Sequence, residues 1–310
     1  MKRPRIAFVG SGGAARGIAH LGALKACEEL GIVPDLFVGA SAGALVAATY
    51  GQGIALDVLL DGFRLPWRRR HDGFRVGLGT FFGAPSAEQM FDPGWLLSGL
   101  FSIDKLERRV ARTLPHNRFS EMPKPVFITA VDIDLGTRVV FGPGHIDNVS
   151  VSQAVAASCS IPGLFRPYRI GDRYYVDGEI ARTLSADLAV EAGADVVITS
   201  SIYRPSQEEP GTRSLGRSGV PAVLTQSLNV LLSEKERRGV ELLSRQHPHV
   251  TFLDISPDIG HIGYLNHYAA RSLVVQGYRA GLRLLTDAKR NGAFERVRVG
   301  GGIAGRDVTN

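Results

Sequence analysis

Residues 6–43 read IAFVGSGGAARGIAHLGALKACEELGIVPDLFVGASAG, and this segment decides the fold. A short apolar run at residues 6–9 enters a glycine-rich turn, and residues 17–30 follow with apolar side chains at helical spacing. A second apolar run at residues 36–38 enters another tight turn, and small residues from 42 to 50 follow. Strand, turn and helix in this alternation predict a doubly wound, mostly parallel sheet with helices on both faces.

The rest of the chain extends this prediction to a three-layer α/β/α fold. Further strands are predicted at residues 125–133, 138–141, 168–170, 174–176, 196–200 and 250–255, and further helices at residues 103–114, 151–158, 185–192, 220–246 and 266–289. Residues 60–123 interrupt the pattern with aromatics, arginines, glycines and prolines, which is typical of an insertion or a lid. We therefore expect a single domain over residues 1–310, with an irregular insertion at about 60–123 and a C-terminal helical part at about 219–310.

Composition places the chain among ordinary globular proteins. Hydrophobic residues make up 44% of its 310 residues and charged residues 21%, which excludes wholesale disorder. The net charge of +6 permits contact with an anionic membrane, and no nucleic-acid-binding motif accompanies it. The basic start resembles a signal peptide, but its apolar run is too short. A cytoplasmic protein is expected, with peripheral membrane contact as an open option and the oligomeric state undetermined.

One candidate nucleophile stands out. Gly39-Ala40-Ser41-Ala42-Gly43 matches the G-x-S-x-G pattern, and it lies between a predicted strand and a predicted helix. That context requires small residues around a sharp turn and leaves the serine exposed at the helix N-terminus, where the backbone amides favour negative charge. A close-packed turn with a capping serine is the structural alternative.

The glycine-rich turn after the first strand allows two functions. As a G-x-G-x-x-G loop it would bind a dinucleotide, but the acid Asp35 precedes the second strand instead of following it. As an oxyanion hole, the loop would point the amides of Gly12, Gly13 and Ala14 at a carbonyl oxygen under attack. Parallel strands bring this loop and Ser41 to one sheet edge, which favours the oxyanion hole.

Two kinds of general base are compatible with Ser41. A histidine late in the chain, His261 or His267, would complete a triad. Alternatively, Asp177 follows an apolar hairpin strand and could accept the serine proton directly, although an Asp-Gly pair is often an ordinary turn. The residues alone leave this choice open.

Taken together, these motifs resemble the patatin-like phospholipase family. The resemblance rests on the loop from Gly10 to Gly17, the elbow at Ser41, the stretch Ala157-Ser158-Cys159-Ser160-Ile161-Pro162-Gly163 and the Asp177-Gly178-Glu179 motif. It implies a lipid acyl hydrolase of the phospholipase A or lysophospholipase type. In such an enzyme Ser41 and Asp177 form a dyad without histidine, Gly12, Gly13 and Ala14 form the oxyanion hole, and neither a cofactor nor a metal is needed.

The sequence departs from the family pattern at two positions. Ala14 stands where a third glycine is usual, and a left-handed backbone would cost alanine about 1 kcal/mol or more. Glu179 stands where glycine or alanine is usual, and this second carboxyl either raises the pKa of Asp177 or points to solvent. These departures keep an alternative open: a catalytically weak regulatory protein that binds lipid or an acyl carrier on the same fold.

Two basic features remain. Arg16 is the only charge in the glycine-rich loop. It either positions the loop, contacts an anionic head group of the lipid ester, or is a solvated residue of the first helical turn. Trp67 precedes Arg68, Arg69 and Arg70, a combination that suits an anionic membrane surface and is equally common on a solvated face.

Overall fold

The computed structural model describes residues 3–61, 99–182, 184–205, 214–260, 262–264 and 266–295. Its strands are β1 (Ile6–Gly10), β2 (Leu36–Gly39), β3 (Val126–Asp132), β4 (Thr137–Phe141), β5 (Tyr168–Ile170), β6 (Arg173–Asp177), β7 (Val196–Ser200) and β8 (Thr251–Ile255). Its α-helices are α1 (Ala19–Glu29), α2 (Ala42–Tyr50), α3 (Leu56–Asp61), α4 (Asp104–Thr113), α5 (Val151–Ser158), α6 (Ala186–Glu191), α7 (Val220–Gln246) and α8 (Ala270–Arg290). The predicted elements in these ranges are confirmed within a few residues.

The strands form one sheet with mixed pairing. Their order is β5-β6-β3-β2-β1-β7-β8, and β4 also pairs with β3. The pairs β8–β7, β7–β1, β1–β2 and β2–β3 are parallel, whereas β4 and β6 run antiparallel to β3 and β5 antiparallel to β6. The predicted mostly parallel sheet is therefore confirmed, with an antiparallel part that carries the Asp177 strand.

Two apolar layers cover the sheet because side chains alternate along each strand. In β1, Ile6 and Phe8 join the layer that contains α1, α2, α4 and α5. Ala7 and Val9 point to the opposite face, where α6 and the end of α7 pack. Helices on both faces of a central sheet give the three-layer architecture that the sequence predicts.

Helices α1 and α8 approach so closely that glycine is needed on both sides. A Cβ on Gly22 would lie 2.1 Å from the carbonyl oxygen of Val274, and a Cβ on Gly277 would lie 2.0 Å from that of Ala19. The C-terminal helix is thus fitted against the helix that follows the glycine-rich loop.

Strands β2 and β6 run toward each other along one edge of β3. Ile128 pairs with Gly39 of β2 and also with Phe141 of β4, so β2 and β4 lie on opposite edges of β3. Strand β4 pairs with β3 as far as Asp132, and β6 pairs with the same part of β3, from Ala130 to Asp132. Since β4 already occupies one edge there, β6 must lie on the other edge, which it shares with β2. Gly39 ends opposite Ile128 and Asp177 ends opposite Ala130, two residues further along β3. The segments that leave these two strand ends therefore meet.

Candidate active site

Ser41 lies in a strained turn between β2 and α2. Its backbone has φ 51° and ψ −119°, in a region that non-glycine residues rarely occupy. A Cβ on Gly39 would lie 2.3 Å from the backbone of Gly43, and a Cβ on Gly43 would lie 2.2 Å from the carbonyl oxygen of Gly10. The sharp turn expected of a G-x-S-x-G elbow is present, and its flanking glycines are required sterically.

Asp177 lies next to Ser41 and its carboxyl is fixed in place. The Ser41 side chain lies close enough to lower the pKa of this carboxyl, and the backbone N–H of Glu179 donates to Oδ1 at 3.0 Å. The backbone N–H of Asp177 donates to the carbonyl oxygen of Ser160, also at 3.0 Å. Burial raises the pKa of Asp177 to about 6, against the lowering effects of the Glu179 backbone N–H and the Ser41 side chain. The carboxyl is thus ionised near neutral pH and can accept a proton at only slightly lower pH.

Residues 158–160, at the C-terminal end of α5, contact both Ser41 and Asp177. The Ser41 backbone N–H donates to Ser158 Oγ at 2.8 Å, and Cys159 Sγ donates to the Ser41 carbonyl oxygen at 3.3 Å. The Ser160 carbonyl accepts from Asp177, as described above. Burial raises the pKa of the Cys159 thiol, so this cysteine stays protonated beside Ser41.

The glycine-rich loop leaves two adjacent amides for a ligand. The N–H groups of Ser11, Ala15 and Arg16 donate to the carbonyl oxygens of Ser200, Tyr264 and Gly13 respectively. The N–H of Gly12 donates to Glu179 Oε1 at 2.7 Å. In the part of the chain that the structure describes, the amides of Gly13 and Ala14 have no such acceptor. The structure therefore differs from the sequence expectation at Gly12, whose amide is already engaged.

Ala14 adopts the left-handed backbone that usually favours glycine. Its φ is 51°, and the preceding Gly13 has φ 122°. A Cβ on Gly13 would lie 2.1 Å from Cδ1 of Ile202, so this position also needs glycine for lack of space. The expectation that alanine would be strained at position 14 is confirmed.

Glu179 is buried against the loop and does not face solvent. A Cβ on Gly12 would lie 2.7 Å from Glu179 Cγ and 2.9 Å from Ser41 Cβ, so this glutamate and the elbow serine flank Gly12. Burial and, second, the Asp177 carboxyl raise the pKa of Glu179 to about 8. Within the described residues its Oε2 is buried without a hydrogen-bond partner. A neutral carboxyl at pH 7 fits this setting better than a second negative charge beside Asp177.

Arg16 is buried and positions the loop. Its Nε donates to the carbonyl oxygen of Ile262 at 2.6 Å, and Nη1 donates to Oδ1 of Asn229 in α7 at 3.1 Å. The guanidinium also lies 4.1 Å from the centre of the Tyr264 ring, and the Tyr264 hydroxyl donates to the same Asn229 oxygen. Of the roles that the sequence allows, these contacts favour loop positioning over contact with a head group.

His20 is buried under the loop and uses both ring nitrogens. Nε2 donates to the carbonyl oxygen of Ser11 at 2.8 Å, and Nδ1 accepts from the Ser200 hydroxyl at 2.7 Å. Burial lowers its pKa to about 4, so the ring is neutral and supports the loop. Asp35 accepts the N–H of Ile6 at 2.9 Å, at the opposite end of β1 from the loop, where it cannot bind a ribose.

Several features expected from sequence lie outside the described residues. These are His261, the side chain of His267, Trp67 with Arg68 to Arg70, and most of the insertion. In the described part of that insertion, α4 confirms the helix expected at residues 103–114. Across the described ranges, no group of three or more His, Cys, Asp or Glu could hold a metal ion. None of the described helices is long and apolar enough to cross a membrane.

Other residues of the site carry no sequence motif of their own. Tyr203, whose hydroxyl lies 2.6 Å from the position of a Cβ on Gly12, comes from the segment after β7. Lys235 of α7 donates to the carbonyl oxygens of Glu179 at 3.1 Å and Ile180 at 2.7 Å. Asn229 acts through Arg16, whereas Tyr264 contacts Arg16 with its ring and accepts the N–H of Ala15 with its carbonyl oxygen. Asn229 interrupts an apolar stretch of α7, whereas Lys235 lies in a polar run and has no signal that sets it apart.

The geometry described so far agrees with a comparison against protein families. A family model described as patatin-like phospholipase matches residues 8–190, which is more than half of the chain. That range includes the glycine-rich loop, the Ser41 elbow and the Asp177 motif. The chain belongs to the patatin-like phospholipase family.

Individual relatives are distant and longer than this chain. An uncharacterized NTE family protein of Mycobacterium tuberculosis is 28% identical over 273 residues, which cover 84% of this chain and 43% of the relative. Patatin-like phospholipase domain-containing protein 6 of Mus musculus is 27% identical over 215 residues, 69% of this chain and 14% of the relative. The chain thus spans less than half of the length of these relatives.

Solved structures show a weaker likeness. VipD from Legionella pneumophila has a TM-score of 0.49 at 14% identity and covers 92% of this chain and 67% of its own. Human GIVD cytosolic phospholipase A2 has a TM-score of 0.46 at 11% identity, over 94% of this chain and 60% of its own.

Proposed function

We propose that this protein is a serine acyl hydrolase of lipid esters, of the phospholipase A or lysophospholipase type, that uses a Ser41–Asp177 dyad. The observation that carries the proposal is the close pair formed by the Ser41 side chain and the buried Asp177 carboxyl, whose pKa the serine lowers. It lies at the sheet edge where the Gly13 and Ala14 amides have no acceptor within the described chain. Nucleophile, base and oxyanion donors are the groups that ester hydrolysis requires.

Acylation begins with proton transfer. Asp177 accepts the Ser41 hydroxyl proton while Oγ attacks the ester carbonyl, and the carbonyl oxygen becomes an oxyanion. The amides of Gly13 and Ala14 hold that oxyanion, aided by the N-terminal end of α2. When the intermediate collapses, the C–O bond to the leaving alcohol breaks, and the Asp177 proton passes to that alcohol. The product is an acyl ester on Ser41.

Deacylation repeats these steps with water as the nucleophile. Asp177 takes a proton from water, the hydroxide attacks the acyl carbonyl, and the same amides hold the second oxyanion. Collapse breaks the bond to Ser41 Oγ, which recovers its proton from Asp177 and releases the fatty acid. A carboxyl whose pKa is about 6 suits this exchange, because it both accepts and returns a proton near neutral pH.

Membership of the patatin-like phospholipase family supports a lipid ester as the substrate. We also propose peripheral contact with an anionic membrane through Trp67 and the arginines at 68–70, and a cytoplasmic location. We propose further that residues 1–310 form one domain, with an insertion at 60–123 and a C-terminal helical part at 219–310.

The decisive test is labelling with a fluorophosphonate, followed by mass-spectrometric mapping of the modified residue. We expect the label on Ser41 in the wild-type chain, no label in Ser41→Ala, and strongly slowed labelling in Asp177→Asn. Ser227→Ala, which removes an exposed hydroxyl from α7, is the matched control and should label normally. Release of fatty acid from phospholipid vesicles measures the lipid activity. Labelling elsewhere would remove Ser41 from the mechanism, and a protein that binds lipid without labelling would be the regulatory alternative.

A further inference from the structure

The loop segment whose Gly13 and Ala14 amides lack an acceptor among the described residues is strained at Ala14. Ala14 holds φ 51° without the freedom of glycine. Such a conformation persists only where neighbouring contacts impose it. The oxyanion amides of Gly13 and Ala14 therefore depend on whatever fixes the loop on either side of them.

Contacts on both sides meet this requirement. On the C-terminal side, Ala15 donates to the carbonyl oxygen of Tyr264 at 2.9 Å. On the N-terminal side, Gly12 donates to Glu179 Oε1 at 2.7 Å, which is short for an amide donor. The glutamate is the only side chain in the described structure that accepts from a backbone N–H of residues 12–16.

The glutamate is itself held in place. It follows Asp177 in the 3-10 helix Gly178–Ile180, and its backbone N–H donates to the Asp177 carboxyl. Lys235 of α7 donates to its backbone carbonyl oxygen. Its Cγ packs against Gly12, where a Cβ would collide with it. A rigid support thus links the base strand directly to the oxyanion loop.

We propose that Glu179 is a positioning residue that holds Gly12 and thereby imposes the strained Ala14 conformation that orients the oxyanion amides. The inference rests on the proposed function. Glu179 is needed because the Ala14 backbone is strained. The effect of Glu179→Ala on kcat should therefore be smaller once that strain is removed. In the alternative, the Glu179 carboxyl obstructs the oxyanion loop, and its side chain would have to move away before the ester could react.

A double-mutant cycle separates these possibilities. Glu179→Ala should lower kcat for a soluble ester by about tenfold with little change in KM, because displaced oxyanion donors act only in the transition state. Glu179→Gln should recover most of that loss, because its amide oxygen can still accept from Gly12. In an Ala14→Gly background, where the left-handed backbone is unstrained, the factor lost on Glu179→Ala should fall to about threefold or less.

A second readout does not depend on ester turnover. Hydrogen exchange of the peptide that spans residues 10–18 should speed up in Glu179→Ala and much less in Glu179→Gln. Glu241→Ala, on the exposed face of α7, is the control and should change neither kcat nor this exchange. Equal losses in both Ala14 backgrounds, or a faster enzyme after Glu179→Ala, would overturn the inference. If the wild-type chain hydrolyses no ester, the proposed function fails, while the exchange experiment still tests the support.

Discussion

Ser158 accepts the backbone N–H of Ser41 through its hydroxyl oxygen, at 2.8 Å, in a buried position. Through this bond, the end of α5 fixes the orientation of the elbow. The same turn fixes the base strand, because the Ser160 carbonyl accepts from the backbone of Asp177. Three consecutive residues thus set the distance between the proposed nucleophile and the proposed base.

Ser158→Ala should therefore lower both stability and kcat. A buried amide without an acceptor costs about 1–3 kcal/mol, and a shifted elbow should reduce kcat by about tenfold. Ser150→Ala is the matched control, because it removes the capping serine at the other end of α5 and costs about 1 kcal/mol. Urea unfolding and soluble-ester kinetics on both variants give the comparison. Equal activity in the two variants would show that Ser158 stabilises the helix end only.

Substitution of Ser41 should separate chemistry from backbone strain. Ser41→Ala should reduce ester hydrolysis by roughly 10⁴-fold or more while the Tm stays nearly constant. Ser41→Gly should be equally inactive but more stable, by about 1 kcal/mol, because glycine tolerates φ 51°. Calorimetry and p-nitrophenyl ester kinetics measure the two effects. Substantial turnover by either variant would exclude Ser41 as the nucleophile.

Asp177→Asn should lower kcat by orders of magnitude, whereas His261→Ala and His267→Ala should stay within a few-fold of the wild type. In the wild-type enzyme kcat/KM should rise with pH through about 6, because only the ionised Asp177 can accept the serine proton. This rise of kcat/KM through about pH 6 should be missing from the residual activity of Asp177→Asn. A collapse of activity in one histidine variant, with the fold intact, would favour a Ser–His enzyme.

Glu179→Gln should stabilise the protein increasingly as the pH rises. The pKa of Glu179 is raised to about 8 in the folded chain, so the folded state binds more protons than the unfolded state above the ordinary glutamate pKa. The contribution of this group to stability is fully present below about 4.5 and is lost as the pH rises through about 8. The Tm difference between variant and wild type should widen from about pH 5 to about pH 9. Ser227→Ala, an uncharged change on the exposed face of α7, is the control and should leave the Tm difference constant with pH.

Replacing Arg68, Arg69 and Arg70 by Gln should weaken binding to phosphatidylserine vesicles and flatten its salt dependence. Each basic residue near an anionic bilayer contributes about 1 kcal/mol, within a Debye length of about 8 Å. Hydrolysis of a soluble ester should hardly change. Replacing Arg237, Arg238 and Arg245 of α7 removes the same charge and serves as the control. Vesicle co-sedimentation at low and high salt is the measurement, and equal binding by both triple variants would exclude a membrane role for residues 68–70.

The sequence predicted the elements that depend on local pattern. Strand β7 and helices α2, α5 and α7 have the expected bounds. Runs of apolar and small residues indicate them, and a capping box at Ser150 marks the start of α5. The alanine at position 14 was expected to be strained because the family places glycine there. Proximity of the loop to Ser41 followed from the rule that parallel strands end at one edge.

Contacts that depend on tertiary packing were beyond the sequence. Nothing in the spacing of residues indicates that Glu179 turns inward to Gly12, or that Arg16 reaches Asn229 more than two hundred positions away. The 3-10 helix Ala14–Ile18 was also missed, since the apolar pattern of the following helix runs through it. Buried polar groups take hydrogen-bond partners from whichever segment the fold brings next to them, and these partners can be far away in the sequence.

The glycine-lined contact between α1 and α8 has a consequence for the order of synthesis. The groove around Gly22 is made within the first thirty residues, but the helix that fills it is completed only at Arg290. Tyr264, which anchors Ala15, is translated just as late. A nascent chain on the ribosome therefore carries its elbow and loop long before it can hold them in shape. The proposed ester hydrolysis should therefore appear only after α8 has left the exit tunnel.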